Sequence, residues 1–259
     1  GGIINVVDNC IAPEDITRQE FIAGLETQSV NDGDSQLFNY KNNLNGFNVN
    51  VGYKKSEFGN FDIPNDAIMH DEDHEGHDEH EGEEELSYLE NSDLEIESTK
   101  FGISRAGEWG YVGISVDNHE SMYGIPYHGE HSDEEGHDDH DEHEGEDDHD
   151  EHEGERIFST TDQESFTIKG LYNVNGSLIN SVTYNYRDTD YSLIAAHAEE
   201  EGHDTREGDE HEEHAPTVFS NDATEYGAIF DLSNDNFIQK ISLNFVDEDS
   251  SIVGEEAFM

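Results

Sequence analysis

A single cysteine, Cys10, is the only thiol in the chain, which excludes an internal disulfide framework and any cysteine-based zinc knuckle. It reads as a lone thiol near a strand end rather than a reactive group. Basic side chains are nearly as scarce: 11 Lys and Arg stand against 65 Asp and Glu, for a formal charge of −54. Such a chain repels a phosphate backbone and a bare anionic lipid surface alike, so no nucleic-acid partner is expected. No run of about 18 apolar residues occurs, so no segment is suited to cross a membrane as a helix. Strands are a different matter, since each crosses with only about ten alternating residues. Neither Gly-x-Ser-x-Gly nor His-Glu-x-x-His is present, no nucleophile, base and orienter arrangement is visible, and no enzymatic activity is expected.

What is there is alternation with a period of two. Phe47, Val49, Val51 and Tyr53 interleave with Asn48, Asn50, Gly52 and Lys54. Val112, Ile114 and Val116 alternate with Gly113, Ser115 and Asp117, and Val182, Tyr184 and Tyr186 with Thr183, Asn185 and Arg187. The same pattern recurs at Phe166 and Ile168 and at Ile241, Leu243 and Phe245. Each segment has one apolar and one polar face, the mark of a strand. Nine strands are expected, near residues 18 to 30, 35 to 43, 46 to 58, 94 to 106, 108 to 119, 156 to 173, 176 to 192, 217 to 233 and 236 to 249.

The connections carry more information than the count. From the second strand on, tight turns at Asn45-Gly46, Ala106-Gly107, Asn175-Gly176 and Ser233-Asn234-Asp235 alternate with long connections at 59 to 93, 120 to 155, 193 to 216 and 250 onward. Asn-Gly suits a two-residue hairpin turn, which needs positive φ at both positions. Every tight turn then falls at one end of the sheet and every long loop at the other. An all-β, antiparallel, up-and-down transmembrane barrel has that form, here partial with about nine strands and long His/Asp/Glu-rich extracellular loops. Tyr53, Trp109, Tyr111, Tyr172 and Tyr186, near strand ends, suit interfacial aromatic girdles. A soluble β-sandwich is the competing architecture. Polar faces rich in Asn, Ser, Thr and Lys and loops of this length favour the barrel.

Three tracts, residues 70 to 85, 128 to 156 and 197 to 214, hold 35 of the 65 acids and 15 of the 16 histidines. The first contains His70, His74, His77 and His80. The second contains His128, His131, His137, His140, His143, His149 and His152, and the third His197, His203, His211 and His214. Neutral imidazole is a favoured ligand of zinc, copper and nickel, and carboxylates complete the shell. Acid runs alone fit simple solvation or calcium binding, but neither calls for imidazoles in three separate loops. The candidate ligands are the named histidines of the three tracts apart from His197, as an interchangeable set within low-complexity sequence. His119, outside the tracts at the expected end of a strand, reads as structural. Lys169 and Arg187, on polar-face positions, read as balancing interior acids.

The stretch Gly1-Gly2-Ile3-Ile4-Asn5-Val6-Val7-Asp8-Asn9 resembles the last strand of the plug domain of TonB-dependent outer-membrane receptors. Asn91-Ser92, Tyr123-Gly124-Ile125-Pro126 ahead of a His-rich loop, and Gly254-Glu255-Glu256-Ala257-Phe258 resemble landmarks of the zinc-uptake branch of that family. The resemblance implies residues 1 to 13 as the end of a plug and 14 to 259 as the N-terminal part of a barrel. It also implies a bacterial (Gram-negative) outer-membrane location, outer-membrane lipid around the barrel, and energising by the TonB-ExbB-ExbD complex through a plug segment not in this sequence. The chain, which starts at Gly1-Gly2 without Met, then reads as a fragment. The expected cargo is a divalent metal ion, Zn2+ foremost, with Ni2+, Cu2+ or Co2+ as alternatives, and no catalytic cofactor. Two other functions stay open: a TonB-dependent receptor for an organic ligand such as a siderophore, and a soluble, secreted, acidic β-protein that sequesters metal.

Overall fold

A computed structural model describes residues 10–64, 87–126, 156–174, 176, 178–198, 216–234 and 236–254. Nine long strands form one sheet: β1 (Glu20–Gln28), β2 (Gly33–Leu44), β3 (Phe47–Phe58), β6 (Leu94–Gly107), β7 (Gly110–Gly124), β8 (Arg156–Asn173), β9 (Ser181–Ala198), β10 (Thr217–Asp231) and β11 (Lys240–Val253). Two short strands, β4 (Phe61–Asp62) and β5 (Tyr88–Leu89), pair with each other inside the first long connection. In the large sheet each strand pairs antiparallel with the next, in the order β1-β2-β3-β6-β7-β8-β9-β10-β11. The described residues contain no helix.

The alternating segments became strands close to their expected limits, and β8 has the expected limits themselves. Turn positions moved more. Asn45 and Gly46 take φ of 53° and 86° and close the β2–β3 hairpin as a two-residue turn with both residues left-handed. At the next hairpin Gly107 pairs with Gly110. The turn is therefore Glu108-Trp109, two residues beyond Ala106-Gly107, and Gly110 absorbs the bend at φ 117°. Asn175-Gly176 is not a two-residue turn. Val174 N–H donates to the Asn180 carbonyl at 2.8 Å, so the loop extends to Asn180 and β9 starts at Ser181, five residues later than expected.

These three connections and the one between β10 and β11, which follows the Asp231–Lys240 pair, lie at one end of the sheet. The opposite end carries the three long connections and, in addition, the short β1–β2 turn around Asp32, whose φ is 46°. We call the two ends the turn rim and the loop rim.

The two faces are inverted relative to a water-soluble sheet. Along β7, Val112, Ile114 and Val116 are 38%, 42% and 48% exposed, while Ser115 between them is 4% exposed. Among the described residues the buried hydrophobic set is Cys10 and Ile11 alone, whereas Asn31, Asn48, Asn50, Ser56, Ser104, Ser115, Ser159 and Thr217 are all buried. The ladder carries the pattern across the sheet: Ile114 lies opposite Ile103 and Ile168, Ile103 opposite Val49, and Ile168 opposite Tyr186. This apolar band runs oblique to the ladder. Followed from Phe245, its upper limit on β11, the ladder passes through Tyr226, Tyr186, Ile168, Ile114, Ile103 and Val49 to Asn42. On β2 the band reaches Phe38, four residues nearer the loop rim (42 − 38 = 4). Strands tilted against a level apolar belt produce such a slip.

Residues 10–16 cross the polar face as a strap, in a channel that two glycines leave open. A Cβ on Gly102 would lie 2.3 Å from the Cys10 carbonyl oxygen, and one on Gly113 would lie 2.5 Å from Ile11 Cγ2. Asn48 serves the strap as a strand would: its amide donates to the Glu14 carbonyl at 3.0 Å and its side-chain oxygen accepts from Ile16 N–H at 2.8 Å. Ser104 Oγ donates to the Ala12 carbonyl at 2.7 Å. Replacing a buried side chain that satisfies two backbone groups costs about 1–3 kcal/mol. Asn48→Ala is therefore expected to speed amide exchange at Ile16 at least tenfold with the β-sheet amides unchanged, as read by hydrogen–deuterium exchange.

Candidate metal-gathering rim

The three His/acid tracts are rooted in neighbouring strand ends at the loop rim. Phe58, which precedes the first tract, pairs with Leu94, which follows it, and Leu94 pairs with Tyr123 at the approach to the second. Gly124 pairs with Phe158, and Arg156, the last residue of the second tract, pairs with Ala198 at the start of the third. Ala195 in turn pairs with Thr217, where the third tract returns to the sheet. All three tracts thus leave and rejoin one sheet at one end.

Local bonds tie the roots to one another. Gly124 N–H donates to the Asp93 carbonyl at 2.9 Å and Ile125 N–H to the Ile157 carbonyl at 2.9 Å. The Arg156 guanidinium pairs with the Asp93 carboxylate, so the residue closing the second tract grips the one following the first. The first connection is pinned at its base, where Gly59 N–H donates to the Asn31 carbonyl at 2.8 Å and Asp62 N–H to the Val30 carbonyl at 2.7 Å. Ser92 then links its two arms, accepting from Phe61 N–H at 2.8 Å and donating to the Leu89 carbonyl at 2.6 Å.

Beyond Phe101, Val116 and Phe166 the apolar face changes character towards this rim. The same face carries Glu95 and Glu97 on β6, Glu120 on β7, Asp162 and Glu164 on β8, Asp188 and Asp190 on β9, Asp222 on β10, and Asp247 and Asp249 on β11. Cations are few at this level. Lys55 bridges Glu57 at 2.5 Å and Glu95 at 3.5 Å. The upper wall is thus a carboxylate tier standing directly on the apolar band.

His70, His74, His77, His80, His128, His131, His137, His140, His143, His149, His152, His203, His211 and His214 lie outside the described residues. His197 is described in its backbone only, paired with Ile157. His119 falls within β7 rather than at its end, on the polar face between Ser98 and Gln163. Among the described residues no group of three or more His, Cys, Asp or Glu is arranged to hold a metal ion. Lys169 and Arg187 are on the polar face as expected, and Arg187 stands opposite Glu225 in the ladder. Lys100 and Asp117 form an ion pair there at 3.7 Å. Of the girdle aromatics, Tyr172 and Tyr186 share the apolar face, while Tyr111 alternates to the polar one.

The root contacts were not foreseen from sequence. One signal pointed to Arg156: it is the only basic residue in the second tract and stands at its very end. No family model and no curated protein matches the chain.

The Arg156–Asp93 pair is partly exposed, with side chains 41% and 24% accessible, so its own contribution to stability stays within about 1 kcal/mol. Arg156→Ala is expected to shift Tm by no more than about 4 °C while raising amide exchange at Gly124 and Ile125 severalfold. Hydrogen–deuterium exchange by mass spectrometry checks both the local loosening and the unchanged sheet.

Proposed function

We propose that the chain is part of an outer-membrane β-barrel receptor of the TonB-dependent kind, which gathers a divalent transition metal, zinc foremost, at its loop rim. The observation carrying the proposal is that three tracts dense in imidazole and carboxylate are rooted at one end of a sheet whose apolar side chains face out and whose polar ones are covered. Leaving a Val, Ile or Phe side chain half in water forfeits on the order of 1 kcal/mol each. Hydrocarbon against the band Val49, Val51, Ile103, Ile114, Val116 and Ile168 removes that penalty. The alternative of a soluble sandwich needs a second sheet on that face, and the described residues supply only the two-stranded β4–β5 ribbon.

In this reading the tracts capture hydrated metal in interchangeable arrangements, pass it towards the polar face, and the energised plug releases it inwards. Residues 10–13 of the strap are the part of the plug end that meets the barrel wall. Outer-membrane lipid surrounds the apolar band, and the TonB-ExbB-ExbD complex drives release through a plug segment beyond this chain. No chemical step is catalysed.

Capture is pH-dependent, with a sign fixed by imidazole chemistry. Histidine must be neutral to bind, and a free imidazole has a pKa of about 6.5. A site using two imidazoles therefore loses affinity roughly a hundredfold between pH 7.5 and 5.5. Calorimetric titration of the detergent-held chain is expected to give zinc affinity well above calcium affinity at pH 7.5 and this loss at pH 5.5. Equal affinities for the two ions, or no pH dependence, would remove the metal assignment and leave the organic-ligand receptor.

A further inference from the structure

On the polar face, the loop-rim ends of β1, β2 and β3 enclose a cavity of about 610 Å³. Two ladder rows make its floor. Lys54 on β3 lies opposite Leu37 on β2, which lies opposite Gly24 on β1. The row two residues nearer the rim is Ser56, Ser35 and Glu26. The hydrogen bond between Ser35 and Ser56, at 2.9 Å, ties two small side chains together and keeps the middle of the floor low. Gly33 forms the end wall. A Cβ there would lie 2.4 Å from Phe58 Cδ1, 2.9 Å from Gln28 Cγ and 2.9 Å from Asn31 Oδ1, so three side chains close over the space it leaves free.

The cavity is charged at two corners and apolar between them. Lys54 and Glu26 are both exposed, and among the described residues neither has an ion-pair partner. Asn31, 3% exposed, adds the negative end of an amide dipole on the Glu26 side, because its side-chain oxygen accepts no hydrogen bond among the described residues. Leu37 is 43% exposed although it faces away from the lipid-facing band, and Phe58 is half-buried. An occupant that answers all of these groups carries both charges and an apolar side chain. Residues 1–9 contain no Lys, Arg or His, so they offer Glu26 no cationic side chain.

We propose that this cavity binds a dipeptide with free termini, its carboxylate on Lys54, its ammonium on Glu26 and an apolar side chain against Leu37 and Phe58. Glu26 stands two strands and two residues from Lys54, a diagonal of about 12 Å for strands roughly 4.8 Å apart and a rise of about 3.4 Å per residue. Side chains stand roughly perpendicular to a sheet, so the two charged groups keep about that spacing. A charge-assisted hydrogen bond of about 2.8 Å at each end leaves about 6 Å to fill. Two extended residues at about 3.3 Å each fill it, and one residue does not. Opposite charges at a fixed separation also set the direction in which the peptide lies.

The test is calorimetric titration of the full chain in detergent with the dipeptide Ala-Phe, a chelator being present so that the outcome does not depend on metal capture. Acetylating the amine or amidating the carboxylate is expected to weaken binding at least tenfold, and free phenylalanine binds at least tenfold more weakly than Ala-Phe. Lys54→Met removes the preference for the free acid over the amide and keeps the preference for the free amine, whereas Glu26→Gln does the reverse. Both side chains are exposed, so the sheet tolerates either change. Indifference to capping, or preferences that survive both substitutions, overturns the proposal. So does failure of the full chain to bind, the result expected where residues 1–9 already fill the cavity.

Discussion

A sheet that covers its amides and hydroxyls and bares its valines, isoleucines and phenylalanines is constrained by its surroundings before any ligand is considered. Hydrogen bonds satisfy the covered face from within: Asn48 and Ser104 bond the strap backbone, and Ser35 bonds Ser56 across β2 and β3 at 2.9 Å. The bare face has no such internal remedy, because no described segment lies over it. Water penalises that face and hydrocarbon does not. The oblique apolar band and the acidic tier above it follow from this inversion, whereas the long connections collect at one rim because each long strand pairs antiparallel with the next.

The strands were legible because a period of two survives in sequence wherever the two faces meet different surroundings. It survives here irrespective of which face is wet, so alternation at Val112 to Asp117 announced a strand without saying that Ser115 would be the covered residue. Turn positions were less legible. Asn45-Gly46 behaved as its chemistry requires, whereas at Asn175-Gly176 the pairing of Asn173 with Ser181 kept the loop open for several residues more. The strap could not be read at all, since it depends on Gly102, Gly113, Asn48 and Ser104 being neighbours on one face, a long-range property that only the register reveals.

For the rim, composition gave the chemistry and topology gave the arrangement. Fifteen histidines in three tracts are visible in the sequence, but that their roots are adjacent strand ends follows from pairings such as Leu94 with Tyr123 and Arg156 with Ala198. Individual ligands are not distinguishable in either, because neighbouring His and Asp/Glu positions within each tract are chemically equivalent. The carboxylate tier was also hidden, since acids such as Glu97, Glu120, Asp162 and Asp190 are far apart in sequence and converge only when the strands are set side by side.

The inversion itself is the claim most open to direct measurement. Nitroxide spin labels placed one at a time from residue 112 to residue 117, in the chain reconstituted into vesicles, report collision with oxygen, which concentrates in hydrocarbon, and with a water-soluble nickel complex. The account predicts strict alternation, with high oxygen and low nickel accessibility at 112, 114 and 116 and low oxygen accessibility at 113, 115 and 117. High nickel accessibility at 112, 114 and 116 would contradict it, since the apolar face would then be standing in water.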